Sequence, residues 1–186
     1  MNAFLVAGSA IAIVTYFPLW KQIHSRKVSQ NLLTWILWGS VDFLIATQII
    51  FEKGNFLLAL TYAAGSLVTA CFIYKAKNIS EWTLFESFVV VLVFISMLIW
   101  YFSGAKIAII ASSTAVFISG IPQIIDAYKK PHEMPFLIYL SYMAANFFSI
   151  AGAKNWSVEE RFYPVVTGIL CFLILVCVSR KFLKKS

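Results

Sequence analysis

Charged residues cut this chain into long apolar runs. The runs are Ala3–Trp20, Val28–Phe51, Gly54–Tyr74, Ser87–Ala105, Ile107–Ile125, Met134–Ala153 and Phe162–Ser179, each 18 to 24 residues long. A single charge falls inside any of them, Asp42 in the second. A helix rises about 1.5 Å per residue, so crossing the hydrocarbon of a bilayer takes roughly 17–25 apolar residues. Seven runs pass that test, which predicts an all-α membrane protein of seven transmembrane helices. The segments between them are too short for an extramembrane domain. Function is therefore expected inside the bundle.

Composition agrees with that pattern. The 186 residues are 61% hydrophobic and 12% charged, against about 45–50% and about 25% in soluble domains. So few ionisable groups cannot cover a water-facing surface, which excludes a soluble enzyme, a disordered chain and a disulfide-stapled secreted domain. Cys71, Cys171 and Cys177 are odd in number, sit in apolar runs and lack the C-x-x-C spacing, so they read as packing residues. No Lys or Arg precedes the first run, and no cleaved leader is expected.

The net charge of +7 is a topology signal. Assigning loops alternately to two sides puts Lys21, Arg26, Lys27, Lys75, Lys77, Lys129, Lys130, Arg180, Lys181, Lys184 and Lys185 together. The other side holds Lys53, Lys106, Lys154 and Arg161. Basic residues gather on the cytoplasmic side, so the N-terminus is expected outside and the C-terminus in the cytoplasm. Trp20, Tyr74, Trp82, Trp100, Trp156 and Tyr163 lie near run ends, where aromatic anchors meet the interface. No basic stripe stands apart from the hydrophobic runs, so nucleic acid is not an expected partner; membrane lipid is.

A shift of 104 residues places Pro18 on Pro122, Leu33 on Leu137, Trp35 on Tyr139, Trp38 on Tyr142, Asp42 on Asn146 and Phe43 on Phe147. Both copies read as a late proline, a basic loop, two aromatics and then a polar residue in the next span. Two three-helix repeats in the same orientation need an odd connector, because direct joining would invert one of them. The expected organisation is a first repeat over residues 1–75, a linker helix over 83–105, a second repeat over 106–180 and a basic tail over 181–186.

Pro122-Gln123 before the short basic loop Asp126-Ala127-Tyr128-Lys129-Lys130-Pro131 resembles the signature of the PQ-loop transporters, which are similar in fold to the SWEET sugar transporters. Pro18-Leu19-Trp20-Lys21-Gln22 resembles a degenerate first copy, followed by Arg26-Lys27-Val28-Ser29 and Trp35. The resemblance covers nearly the whole chain through the three-plus-one-plus-three layout, and SWEETs are a known case of parallel repeats. It implies alternating access of a small polar solute: sugars in one branch, neutral or cationic amino acids in another, nicotinamide riboside in related vitamin importers. The other reading of the same fold is a non-transporting seven-helix receptor or accessory protein. Such a receptor should carry several charged cargo-binding residues, whereas one interior acid favours transport. Short loops point to a bacterial or archaeal cell membrane.

Asp42 is the most informative residue. A charged aspartate at the bilayer centre costs roughly 2.5–3.5 kcal/mol on insertion scales, so it must face a wet cavity, meet a cation or carry a proton. It is expected to couple protons or hold the cationic group of a solute. The bland alternative is a neutral hydrogen bond to Asn146 that pins two spans. Trp35, Trp38, Asp42 and Ile45 share one helical face, and Tyr139, Tyr142, Asn146 and Ser149 share another. Two such faces at a repeat interface would make a pocket with aromatic walls and a polar floor. Gln48, Tyr62, Ser66, Thr69 and Thr167 are further lining candidates. Pro18 and Pro122, with Gln123 beside the second, are expected hinges, because each proline removes a backbone donor and frees the carbonyl of Val14 or Ile118. His24 and His132 fall in loops, and Asn78-Ile79-Ser80 and Asn155-Trp156-Ser157 match glycosylation acceptors without further support. No nucleophile–base pair, metal cluster or phosphate loop is visible. Neither catalysis nor a cofactor is expected, and no oligomer is required.

Overall fold

The computed structural model describes residues 2–25, 30–76, 84–132 and 134–183. Expectations resting on Arg26, Lys27, Val28, Ser29, Lys77, Asn78, Trp82 and Lys184–Ser186 lie outside those residues. The described chain is helical, with no strand. Helix α1 spans Ala3–His24, α2 Leu32–Phe51, α3 Leu57–Lys75, α4 Leu84–Ser103, α5 Ala105–Ser119, α6 Ile121–Lys129, α7 Phe136–Gly152 and α8 Tyr163–Leu183. A single π-helical turn, Val158–Phe162, leads into α8.

Helices α5 and α6 continue each other, so the eight helices make seven rods. Six rods are long and apolar enough to cross a membrane, and the other, α7, has 17 residues. That places α7 at the short limit of a span. In hydrocarbon an unpaired backbone group is costly, and a helix pairs its own N–H and C=O groups. The apolar runs therefore dictate helices directly. The N-termini of α1 and α2 carry polar side-chain caps. The Asn2 side chain accepts from the Phe4 N–H, and the Asn31 side chain accepts from the N–H groups of Leu33 and Thr34. Between α4 and α5 the chain reverses at one residue, Gly104, at φ +85°. That left-handed conformation suits glycine, which lacks a Cβ.

Helix α3 packs against α1 and α2, and α8 packs against α5, α6 and α7. Across these groups α1 lies on α7 and α2 on α5, while α4 rests on α5 and α2. Helix α4 buries Glu86, Val89 and Ser96 and turns Phe88, Phe94, Leu98, Tyr101 and Phe102 outward. Such an apolar periphery suits a lipid environment. The core is a continuous cluster that includes Ile45, Ile49, Ile73, Ile109, Ile174 and Val178.

Two ends can be told apart by their contacts. At the N-terminal face, Asn2 Nδ2 donates to the Gly152 carbonyl at 3.1 Å, the Asn55 N–H donates to the Glu159 carbonyl at 3.2 Å, and Lys106 pairs with Glu159 at 3.5 Å. At the C-terminal face, Lys181 Nζ donates to the Met134 carbonyl at 3.0 Å and Asn31 Nδ2 donates to Glu86 Oε1 at 3.4 Å.

At Pro122, an expected hinge, the fifth rod is interrupted. Helix α5 stops at Ser119, the Gly120 N–H donates to the carbonyls of Val116 and Phe117, and Pro122 occupies the first turn of α6. A first-turn proline needs no hydrogen-bond partner for the N–H it lacks. Pro18, by contrast, lies inside the continuous α1. The two prolines match in the repeat but differ in local structure, because only the second is preceded by a helix break at glycine.

Candidate functional site

A cavity of about 70 Å³ lies where the two groups of helices meet. One water needs roughly 10–15 Å³ measured this way, so the space admits a ligand of several heavy atoms. Tyr16 of α1, Trp35, Trp38 and Asp42 of α2, and Tyr62 and Ser66 of α3 line one side. Val116 of α5, Tyr139 and Tyr142 of α7, and Tyr163, Thr167, Leu170, Cys171 and Ile174 of α8 line the other. Because α2 runs from the C-terminal face towards the N-terminal face, Asp42 marks the deep end and Trp35 the end nearer the C-terminal face.

Two of the hydrogen bonds that cross the interface involve Asp42 and Asn146. Tyr163 Oη of α8 donates to Asp42 Oδ1 of α2 at 2.8 Å, and Asn146 Nδ2 of α7 donates to Tyr62 Oη of α3 at 2.9 Å. Asn146 also donates to the Tyr142 carbonyl at 2.9 Å and accepts from Thr167 Oγ1 at 2.5 Å. Thr167 Oγ1 lies 2.9 Å from the Tyr163 carbonyl as well, and its one proton serves both acceptors. Among the described residues no Lys or Arg pairs with Asp42; the ion pair present, Lys106–Glu159, sits at the N-terminal face.

Five of the residues singled out from the sequence line this cavity: Trp35, Trp38, Asp42, Tyr139 and Tyr142. Asn146 is 1% exposed and lies behind the wall, its amide occupied by protein partners. Ser149 lies about one turn nearer the N-terminal face, where its Oγ accepts from Asn55 Nδ2 at 2.9 Å. The pairing of Asp42 with Asn146, considered as a structural alternative, is replaced by two separate pairings with tyrosines of α8 and α3. Of the further candidates, Tyr62, Ser66 and Thr167 line the cavity, whereas Thr69 accepts from Trp20 Nε1 at 2.8 Å and Gln48 is packed away from it. Gln123 tethers α6 to the cavity wall: its Nε2 donates to Tyr139 Oη at 2.6 Å.

Tyr16 and Tyr163 are absent from that sequence reading as cavity residues. Tyr163, expected as an interface anchor, is instead 1% exposed inside the bundle. A shift of 101 residues puts Tyr62 on Tyr163 and Ser66 on Thr167, so a repeat allowed to contract by three residues before its last helix would have revealed Tyr163. Tyr16 reaches the cavity by crossing close to α3. A Cβ on Gly65 would run into the Tyr16 ring, so this glycine is what admits the tyrosine.

The two ends of the cavity differ. Towards the N-terminal face Ile45, Gln48, Ile49, Ile109 and Ser112 are at most 1% exposed, and the Asn55–Ser149 bond ties α7 to the turn before α3. Both side-chain polar atoms of Gln48, and the hydroxyls of Ser112 and Ser113, are buried there without a hydrogen-bond partner. Towards the C-terminal face Trp38 Nε1 donates to Ser119 Oγ at 2.7 Å and Trp35 Nε1 donates to Gln30 Oε1 at 3.1 Å.

No protein family, curated protein or solved structure matches this chain.

Proposed function

We propose that this membrane-embedded helical protein is a transporter that moves a small polar solute through the central cavity by alternating access. The observation that carries the reading is the pair of crossed hydrogen bonds, Asp42–Tyr163 and Asn146–Tyr62, at the cavity's deep end. On the 104- and 101-residue shifts each bond is the counterpart of the other. The helix packing has the same reciprocity: α3 on α1 and α2 answers α8 on α5–α6 and α7, and α1 on α7 answers α5 on α2. Two parallel three-helix repeats around a two-fold axis, with α4 as linker, would produce this pattern. Repeat transporters place their solute site near the midplane at such an interface, and this supports the resemblance to the PQ-loop and SWEET-like proteins. Asp42 is the group that a proton or the solute would engage, and Gln123 couples the Pro122 segment to the cavity wall.

The unpaired groups of Gln48, Ser112 and Ser113 support a second, open arrangement. Leaving a buried polar group unsatisfied costs about 1–3 kcal/mol, and opening the N-terminal side would let water reach these groups. Gln48→Leu removes that incentive at similar volume. In proteoliposomes loaded with and without candidate solutes, wild type is expected to catalyse exchange, while Gln48→Leu melts at higher temperature and exchanges more slowly. A variant that is more stable yet exchanges at the wild-type rate would remove the alternating-access part of the reading.

The orientation follows from the basic asymmetry. With Lys53→Cys and Lys130→Cys variants in intact cells, an impermeant thiol reagent is expected to label position 53 and leave position 130 untouched. Labelling at 130 alone would reverse the orientation.

A further inference from the structure

We propose that the central cavity selects a small organic cation, a primary or quaternary amine that carries no acidic group. This rests on reading the cavity as the solute site and names the chemistry of what enters it. The walls are dominated by tyrosine and tryptophan rings set at steep angles to one another. Trp35 and Trp38 meet with centroids 5.3 Å apart at 73°, Tyr62 and Tyr142 at 5.7 Å and 88°, and Tyr16 and Tyr142 at 5.4 Å and 62°. Rings so arranged enclose a space as panels do, and ring faces attract cations, quaternary ammonium groups above all.

The polar groups at the wall sharpen the choice. A sugar needs donors and acceptors that are free to receive its hydroxyls. Here Trp35 and Trp38 have already given their N–H groups to Gln30 and Ser119, Tyr163 gives its proton to Asp42, and Thr167 gives its own to its protein acceptors. Tyr139 Oη is engaged by Gln123. What remains is aromatic surface, one carboxylate and a few hydroxyls, among them Tyr142 Oη, which is buried without a partner, and these are too few to receive the several hydroxyls of a sugar. Among the described residues no Lys, Arg or His lines the cavity. An amino acid would bring its own carboxylate into that space with no cation to meet it and Asp42 nearby, and a buried unpaired charge is heavily penalised. An amine without an acidic group meets neither obstacle. The volume of about 70 Å³ suits an ammonium head with a few carbons.

The test uses the purified full chain in nanodiscs, with binding measured by calorimetry. The probes are methylammonium, ethanolamine, tetramethylammonium and choline. Choline is set against 3,3-dimethylbutan-1-ol, its uncharged carbon isostere, and against glycine betaine, which adds a carboxylate. Glucose and leucine represent the sugar and amino-acid classes. At least one amine is expected to bind, choline at least tenfold tighter than its neutral isostere and than betaine. Asp42→Asn should weaken the best amine by at least tenfold. Equal binding of choline and the isostere, or unchanged amine affinity in Asp42→Asn, would overturn the proposal. Tighter binding of glucose, leucine or betaine would overturn the cation class and leave the cavity as the solute site. If no probe binds and none is exchanged by proteoliposomes, both the cation proposal and the solute-site reading fall. Should Asp42→Asn fail to fold, the comparison of choline with its isostere on wild type decides the question alone.

Discussion

Asp42→Asn is expected to lower solute exchange at sub-saturating concentration by about tenfold to a hundredfold while the protein still folds. The substitution keeps the shape of the side chain, and its amide oxygen can still accept from Tyr163, which donates to Asp42 Oδ1 at 2.8 Å in wild type. What it loses is charge. A hydrogen bond to a charged group contributes about 1.5–3 kcal/mol, and roughly 1.4 kcal/mol is a factor of ten in affinity. The pattern of loss separates the roles that a carboxylate could have here. If Asp42 holds the cationic group of the solute, affinity falls at every pH. If it couples protons, accumulation driven by a pH gradient disappears, while exchange of solute down its own gradient persists in part. If it serves only to join α2 to α8, both activities survive and the melting temperature falls modestly. Radiolabelled exchange at two pH values, with a melting curve, distinguishes the three outcomes.

Asn146→Leu is expected to act on the fold first. The side chain is 1% exposed, donates to Tyr62 Oη and to the Tyr142 carbonyl, and accepts from Thr167. Leucine has a comparable volume but removes one hydrogen bond from each of Tyr62, the Tyr142 carbonyl and Thr167, which are left with the Tyr62–Tyr142 carbonyl bond at 3.3 Å and the Thr167–Tyr163 carbonyl bond at 2.9 Å. With each lost hydrogen bond worth about 0.5–1.5 kcal/mol, a loss of roughly 1.5–4 kcal/mol and a lower melting temperature should follow. Asn146→Asp, which when protonated keeps the acceptor for Thr167 and one of the two donated bonds, should fall in between at low pH and lose stability as pH rises. A leucine variant with the wild-type melting temperature would show that this network contributes nothing to holding α7 against α3 and α8.

The contrast between these two residues marks where reading the sequence stopped. Asp42 and Asn146 occupy equivalent places in the 104-residue repeat, and both lie on faces carrying two aromatics, seven and four residues before them. From that, both belong in the pocket. The structure puts one carboxylate at the cavity and turns its counterpart into a strut behind the wall. A rotation of a helix by a fraction of a turn makes this difference. No periodicity records it when a helix is apolar on nearly every side, because lipid and core demand the same side chains. The same ambiguity hid Tyr163, whose place near a run end fits an interface anchor and whose ring lies inside. Pro122 shows a different limit. A proline late in an apolar run implies a bend, but whether the helix bends or stops was decided by Gly120, beside which Leu170 of α8 packs closely.

The sequence by itself determined that the chain is helical and apolar enough to cross a membrane, where its rods lie to within four residues, and which residue carries charge into the interior. In hydrocarbon each backbone group must find its partner inside the helix, so length and apolarity suffice for those conclusions. Only the tertiary structure decided that Asp42 is held by Tyr163, 121 residues away, that Gly65 admits Tyr16 to the cavity, and that the N-terminal side is closed over unpaired polar groups. These depend on the azimuth and depth at which helices meet. Small residues, close approaches and a few buried hydrogen bonds select that geometry, and they are legible only once the helices are packed.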